Sequence, residues 1–156
     1  MADLGVIADD PVEPSPGVDR GTLLHRFDST SIGDLLDVAG PGSGTPVLGA
    51  SIRHLGGALT EEPATAAAAG AIDEPYLLFS IGIPGLGGAT VDDLNTANRG
   101  IADALGDAAT GRSVYNFLGP SGPERAYDVT TLGRLRTLKE RHDPAGRFRM
   151  TRRLPG

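Results

Sequence analysis

Several kinds of residue are missing from this sequence or scarce in it. The 156 residues include no cysteine and no tryptophan, and aromatic residues make up only 4%. Without cysteine the chain can form neither disulfides nor thiolate metal sites. No apolar run approaches the roughly 20 residues that span a membrane. No basic segment followed by an apolar one opens the sequence, so we expect no secretory signal and a soluble, cytoplasmic protein.

Generic catalytic signatures are also missing. The three histidines, His25, His54 and His142, are far apart, and neither an HExxH helix nor an aspartate-rich loop is present, so we predict no metal site. No GxSxG elbow is present for a serine nucleophile. Residues 85–88 resemble a phosphate-binding turn before a helix, but the GxGxxG spacing fails and the aspartates that follow would repel a phosphate.

The net charge of −6 argues against general nucleic-acid binding, although the charge is unevenly distributed. Five acids and no base lie between residues 3 and 19, whereas eight bases and two acids lie from Arg134 onward. A basic tail of this kind can contact a nucleic acid or an anionic cofactor. Because aromatic residues are not interleaved with the bases, we interpret the tail as a solvated helix face and predict no nucleic-acid partner.

The first part of the chain has weak periodicity. Residues 1–27 include an acidic, proline-bearing stretch, which indicates an irregular N-terminal arm. A helix follows, with Ser31 as its cap and Asp34 at the capping-box spacing. The alanine-rich residues 58–71 fit a helix and an irregular loop with one turn equally well.

Apolar spacing is clearer in the remaining segments. Strands are predicted at residues 47–55, 76–83 and 113–118, and further helices from Thr90 and from Asp128. This order predicts an α+β fold, with a mostly antiparallel sheet and helices packed on one face. One face of the strand at 76–83 becomes small and polar, and we interpret it as covered by a helix rather than as bordering a ligand.

Polar side chains stand out in two of these strands. Arg53 and His54 end a strand before a double glycine, and they are either substrate contacts or groups satisfied locally. Asn116 lies in an otherwise apolar strand, where a buried amide needs a partner in a loop or a ligand. Alternation places Val114 and Asn116 on one face and Tyr115 on the other.

Four segments, in order, resemble the berberine-bridge-enzyme family of FAD-linked oxidases. The resemblance covers roughly residues 28–153. The matches are Ser51 to Ala58, similar to the family's ELRHLGGA; Gly111 to Gly119 with Asn116-Phe117, similar to Y-x-N-F; Ala126-Tyr127 with Arg134-Leu135 and Leu138-Lys139, similar to A-Y-G…R-L…L-K; and His142-Asp143-Pro144 with Phe148-Arg149, similar to Y-D-P-x-N-x-F-R.

The resemblance implies the C-terminal, substrate-binding portion of an FAD-linked oxidoreductase that transfers a hydride from its substrate to a flavin. It divides the chain into a partial substrate-domain region at 28–110 and a berberine-bridge-like segment at 111–156. The family's flavin-binding domain has no counterpart in the sequence, which therefore resembles a truncated flavoprotein. We expect a flavin-domain polypeptide or a homodimer as partner, a small-molecule substrate, and neither FAD retention nor activity by the chain alone.

The resemblance also assigns site residues. Arg53 and His54 become candidates for substrate binding, and Asn116 becomes a candidate for contact with the flavin. The family often has a tyrosine two residues before the Asn-Phe pair, where it assists deprotonation of an alcohol, and this position is Val114 here. Tyr115 is the candidate catalytic base, on condition that a bulge or a one-residue slip turns it to the substrate side.

Two other hypotheses remain open. A chain without its flavin domain can be an inactive remnant or a protein-binding module, because an exposed sheet edge and apolar face drive association. A small α+β ligand-binding domain of another lineage would need the four motif matches to be coincidental.

Overall fold

The computed structural model describes residues 16–65, 67–148 and 154. Three strands, β1 (Val18–Leu24), β2 (Gly49–His54) and β3 (Tyr76–Gly82), form one antiparallel sheet in the order β1-β3-β2. The α-helices of the described residues are α1 (Ser29–Ala39), α2 (Val91–Ala104) and α3 (Val129–His142). The predicted α+β class is confirmed. No helix in the described ranges is long and apolar enough to cross a membrane.

The central strand, β3, is covered on both faces. Its register pairs Leu78 with Thr22 on β1 and with Ile52 on β2. Leu77 and Leu78 are each 2% exposed, although neighbouring side chains of a strand point to opposite faces. The sheet is therefore the middle layer of the fold, with helices on one side and a different covering segment on the other.

Helices α1 and α2 cover the face of the sheet that carries Leu78. α2 contacts β1 and β3 directly, and α1 packs on α2. Leu24, Leu78, Ile101 and Leu105 form the centre of the core between these layers. Burying side chains of this size stabilises the fold by about 1.5–3 kcal/mol each relative to leaving them exposed.

A buried polar pair fixes α2 on the sheet. Ser80 Oγ donates to Asn98 Oδ1 at 2.7 Å, and Asn98 Nδ2 donates to the carbonyl oxygen of Val18 at 3.0 Å. Asn98 is 2% exposed, so its amide depends on these partners rather than on water. The small, polar face of β3 is therefore covered by a helix, as the sequence predicted.

Side-chain caps set the helix boundaries. Thr90 and Asp93 form a reciprocal capping box at the start of α2, as predicted. Asp128 caps α3, also as predicted. At α1 the predicted cap is wrong, because the Asp28 carboxylate, rather than the Ser31 hydroxyl, accepts from a backbone N–H at the helix start. The helix therefore begins three residues earlier than a Ser31 cap would allow.

The secondary structure predicted for two segments, the N-terminal arm and residues 113–118, differs from the observed one. Residues 18–24 of the predicted irregular arm form β1, because pairing with β3 and burial of Leu23 and Leu24 outweigh weak local periodicity. Residues 1–15 of that arm lie outside the described residues. The predicted strand at 113–118 is instead a 3-10 turn at Tyr115–Phe117, placed between two glycines with positive φ that bend the chain.

Residues 58–71, which follow β2, fitted a helix and an irregular loop with one turn equally well, and the structure shows the loop. Gly57–Thr60 forms a single 3-10 turn, and the described residues from 61 to 75 contain no helix or strand. The region is therefore a loop with one turn.

The hydrogen bonds of Asn98 give a test of how α2 is held. We expect Asn98→Ala to lower the free energy of unfolding by about 1–3 kcal/mol, because the Val18 carbonyl and the Ser80 hydroxyl lose their buried partner. Asn95→Ala, one turn earlier on α2, is the matched control, since no hydrogen bond of its side chain occurs among the described residues. Urea unfolding curves measure both, and equal losses would contradict this role for Asn98.

Candidate functional site

The 3-10 turn at Tyr115–Phe117 packs on the face of the sheet opposite the helices. The Phe117 ring meets the Phe79 ring edge-on, with 5.2 Å between centroids. The guanidinium carbon of Arg53 lies 5.0 Å from the centroid of each of these rings. Aromatic faces attract a cation at this distance. Arg53 therefore connects β2 to the turn through two aromatic rings.

Gly21 on β1 lets the turn approach the sheet this closely. A Cβ at Gly21 would lie 2.6 Å from the Cβ of Phe117 and 2.9 Å from its carbonyl oxygen, well inside normal contact distance. The buried Ser113 hydroxyl also donates to the Phe117 carbonyl at 3.2 Å and closes the turn. The position of the turn thus depends on glycine, which has no side chain, at residue 21.

A cavity of about 290 Å³ lies beside the turn. Val114, Tyr115 and Asn116 line it on one side, and Leu23 and Tyr127 also contribute to its wall. Three consecutive residues reach the same space because they form a turn. The predicted alternation of Tyr115 against its neighbours is therefore wrong, and Tyr115 needs no bulge to share a cavity with Asn116.

Two tyrosines lie together in this cavity. The ring centroids of Tyr115 and Tyr127 are 5.7 Å apart, with an angle of 32° between the ring planes. Burial, and then the neighbouring Tyr115, raises the pKa of Tyr127 above its ordinary value of about 10. Tyr127 is therefore a neutral phenol at physiological pH, able to donate a hydrogen bond to an oxygen in the cavity.

Arg112 lies at the boundary between this cavity and a neighbouring cleft of about 590 Å³ beside the start of α3. Its Nη1 donates to Glu74 Oε1 at 2.9 Å. Glu74 is buried, and its second oxygen has no hydrogen-bond partner among the described residues. Tyr127 lines both spaces as well, so a ligand that crosses from one to the other would pass Arg112 and Tyr127.

The residues predicted for the site do not all lie together. Tyr115 and Asn116 line the cavity, and Arg53 lies on the same side of the sheet. His54 instead stacks on Tyr76 at 5.2 Å between centroids, on the helix-covered side. The expectation that Asn116 is buried is wrong, because the turn leaves it exposed. The roles assigned to these four residues stay predictions.

Sequence reasoning did not single out Tyr127 as a site residue. It lies between a short 3-10 turn at Pro123–Arg125 and the cap of α3, twelve residues after Tyr115. The available signal was its place in the Ala126-Tyr127 motif. Nothing in the spacing indicated that its ring meets that of Tyr115.

The cavity at Tyr115 offers space for one ring system but not, by itself, for a whole dinucleotide. A cavity of about 290 Å³ is at the lower end of the range for ligand sites, about 300–1,000 Å³. At the start of α2 the capping box takes the place that a phosphate would need, and the acidic first turn opposes an anion. In the part of the chain that the structure describes, no cluster of three or more metal-ligating side chains occurs.

Solved structures of a known protein share this fold. No family model and no curated protein sequence matches the chain. Wild-type BBE-like 1 from Physcomitrella patens superposes with a TM-score of 0.71 at 16% identity, over 99% of this chain and 33% of that one. An aspartate-to-asparagine variant of the same protein gives 0.70 at 14% identity, with the same coverage. The chain thus spans about a third of the matched structures, and the predicted berberine-bridge-enzyme-like fold is confirmed.

Gly21 gives a test of how the turn is placed. We expect Gly21→Ala to lower the free energy of unfolding by about 1–3 kcal/mol and to change the near-ultraviolet circular dichroism of the tyrosines, because the turn must move away. Gly49→Ala on β2 is the control, since a Cβ there meets nothing within 4 Å. If both variants keep the wild-type tyrosine signal, Gly21 does not control the turn.

Tyrosine ionisation tests the environment of Tyr127. Absorbance at high pH should show one of the three tyrosines ionising above about 10, and Tyr127→Phe should remove that late step. Because its folded pKa exceeds the unfolded one, Tyr127 contributes stability below about pH 10 and loses it as pH rises through the folded pKa. Three tyrosines that ionise together at the ordinary pKa would contradict this.

Proposed function

We propose that this chain forms the substrate-side portion of an FAD-linked oxidoreductase of the berberine-bridge-enzyme type. One observation carries the proposal: the turn at Tyr115–Phe117 and the phenol of Tyr127 border one cavity on the helix-free side of the sheet. The shared fold and the four motif matches support it. In the proposed enzyme this chain would bind and orient the substrate, and a flavin, when bound, would supply the hydride-accepting chemistry.

Each side chain of the cavity has a proposed task. Leu23 and Val114 contact the apolar part of a small alcohol substrate. Tyr127, a neutral phenol whose pKa is raised by partial burial, donates a hydrogen bond to the substrate oxygen. Tyr115 beside it would accept the hydroxyl proton in its ionised, phenolate form. The exposed amide of Asn116 is the proposed contact with the edge of the flavin ring.

Arg53 keeps its proposed contact with substrate, whereas His54 does not. The Arg53 side chain is held by two rings on the cavity side of the sheet, and no described residue accepts a hydrogen bond from its guanidinium. Its donors are therefore free to meet a substrate oxygen. His54 faces the helix-covered side, where it stacks on Tyr76, so we assign it no substrate contact.

The rest of the flavin would be held by polypeptide beyond the described residues. A further region of the same polypeptide, a separate flavin-domain chain or a second copy could supply it. The outer edge of β2 supports such a complement, because no described strand pairs with it. Leu48, just before β2, is 59% exposed. An open strand edge beside an apolar side chain is a template for further pairing.

The exposed apolar residues favour a second candidate function, a non-catalytic module that binds another protein. Ile32 and Leu36 lie one turn apart on α1 and are 45% and 55% exposed. Together with the open edge of β2 they offer a surface for association. In this case the cavity at Tyr115 would have no ligand, and light scattering would show a dimer or a stable complex.

Titration with separate halves of FAD tests the proposed function. Lumiflavin carries the isoalloxazine ring without ribityl or phosphate groups, and AMP carries the other end of the cofactor. In amide NMR spectra we expect lumiflavin to shift residues 113–117 and 126–127, with a roughly millimolar Kd, because one ring makes few contacts. AMP should leave these signals unchanged.

Matched variants sharpen this test. Asn116→Ala should weaken lumiflavin binding, whereas Tyr76→Phe, on the helix-covered side, should not. If lumiflavin causes no shift at the turn, or if AMP shifts the same amides, the cavity is not a flavin-adjacent site. A dimer that ignores lumiflavin would instead support the binding module.

A further inference from the structure

Two arginines converge at the outer edge of β1, apart from the cavity at Tyr115. Arg20 Nη1 donates to Ser121 Oγ at 3.2 Å, and Arg125 Nη1 lies 3.4 Å from the same oxygen. Arg20, Thr22 and Arg125 line a cavity of about 270 Å³. The last turn of α2, with Ala102 and Asp103, and two glycines of the following loop also line it.

Neither arginine has a carboxylate within ion-pair distance among the described residues. Arg125 is held by neutral acceptors: the Gly111 carbonyl at 2.7 Å and the Thr22 hydroxyl at 3.2 Å. Arg20 keeps more free donors. Its Nη2 reaches no acceptor in the described ranges, and its buried Nε has no partner there either. The two guanidinium groups therefore meet at the Ser121 hydroxyl without an ion-paired carboxylate in the described part of the chain.

Partial burial of the two arginines makes their positive charges energetically unfavourable. Burial lowers the pKa of both arginines, and Arg20 lowers that of Arg125 further. Desolvation and a like charge both disfavour the charged form. An anion between the two guanidinium groups would compensate both charges at once.

The surrounding charges leave the site positive. Asp103 lines the cavity and acts on Arg20, but it is exposed and forms no ion pair with Arg20. Glu124 acts on Arg125 in the same indirect way. Arg99, on α2, adds a third positive charge to the field at Arg20. Three bases thus face two unpaired acids.

We propose that this cavity binds a small oxyanion with the size and charge of inorganic phosphate. A guanidinium group presents planar, paired donors that match two oxygens of such an ion. The free donors of Arg20 are the main contact, with the hydroxyls of Thr22 and Ser121 beside them. The cavity has ample volume for a small ion. The inference does not rest on the proposed oxidoreductase function.

Thermal unfolding in sodium phosphate and in sodium chloride of equal ionic strength tests the proposal. Phosphate should raise Tm by about 3–6 °C at roughly ten times its Kd, because it binds only the folded chain. Arg20→Gln should abolish this rise. Arg134→Gln removes an exposed positive charge on α3 and should leave the rise intact. Asp103→Asn should strengthen phosphate binding several-fold, because it removes the acid at the cavity.

The outcomes distinguish a specific oxyanion-binding site from a general electrostatic attraction to anions. Equal Tm values in the two salts would overturn the proposal. An equal loss in the Arg20 and Arg134 variants would overturn it too, since it would show that only net charge matters. If Arg20→Gln does not fold, Asp103→Asn decides, because an unchanged phosphate affinity in that variant contradicts the proposed location. Lumiflavin binding at Tyr115 stays unaffected by any of these results.

Discussion

The contact between Gly21 and Phe117 is the constraint on which the candidate site depends. Because β1 carries no side chain at this point, the backbone of the turn lies directly on the sheet. Phe117 then reaches Phe79 on the central strand, and Arg53 packs against both rings. This packing covers the second face of β3, as α2 covers the first. The sheet is thus held between a helical layer and a single turn.

The chemistry of the site follows from this packing. A strand at 113–118 would send neighbouring side chains to opposite faces, whereas the observed turn sends Val114, Tyr115 and Asn116 into one cavity. Tyr127 directly precedes Asp128, the cap of α3, and its ring lies against that of Tyr115. A partly buried phenol with a raised pKa beside a second phenol gives the cavity a hydrogen-bond donor and a separate candidate base.

Local signals in the sequence predicted only part of the fold and of the candidate site. The capping box at Thr90 and the alternation in β3 act within a few residues, so α2 and β3 were predicted correctly. β1 was missed because its stability comes from pairing with β3, more than fifty residues later in the chain. The turn at Tyr115–Phe117 was missed for a related reason: apolar spacing suggested a strand, but contact with distant Gly21 and the bends at Gly111 and Gly119 decide its shape. No local pattern could place Tyr127.

We propose that this chain supplies the substrate side of a flavin enzyme and that further polypeptide holds the cofactor. The most direct measurement is the visible absorbance of the purified chain after incubation with FAD and desalting. The small cavity at Tyr115 and the capped start of α2 predict a colourless protein, since that cavity accommodates one ring system rather than the whole cofactor. A flavin band near about 450 nm that survives desalting would contradict the claim, because the chain alone would then form a complete FAD site.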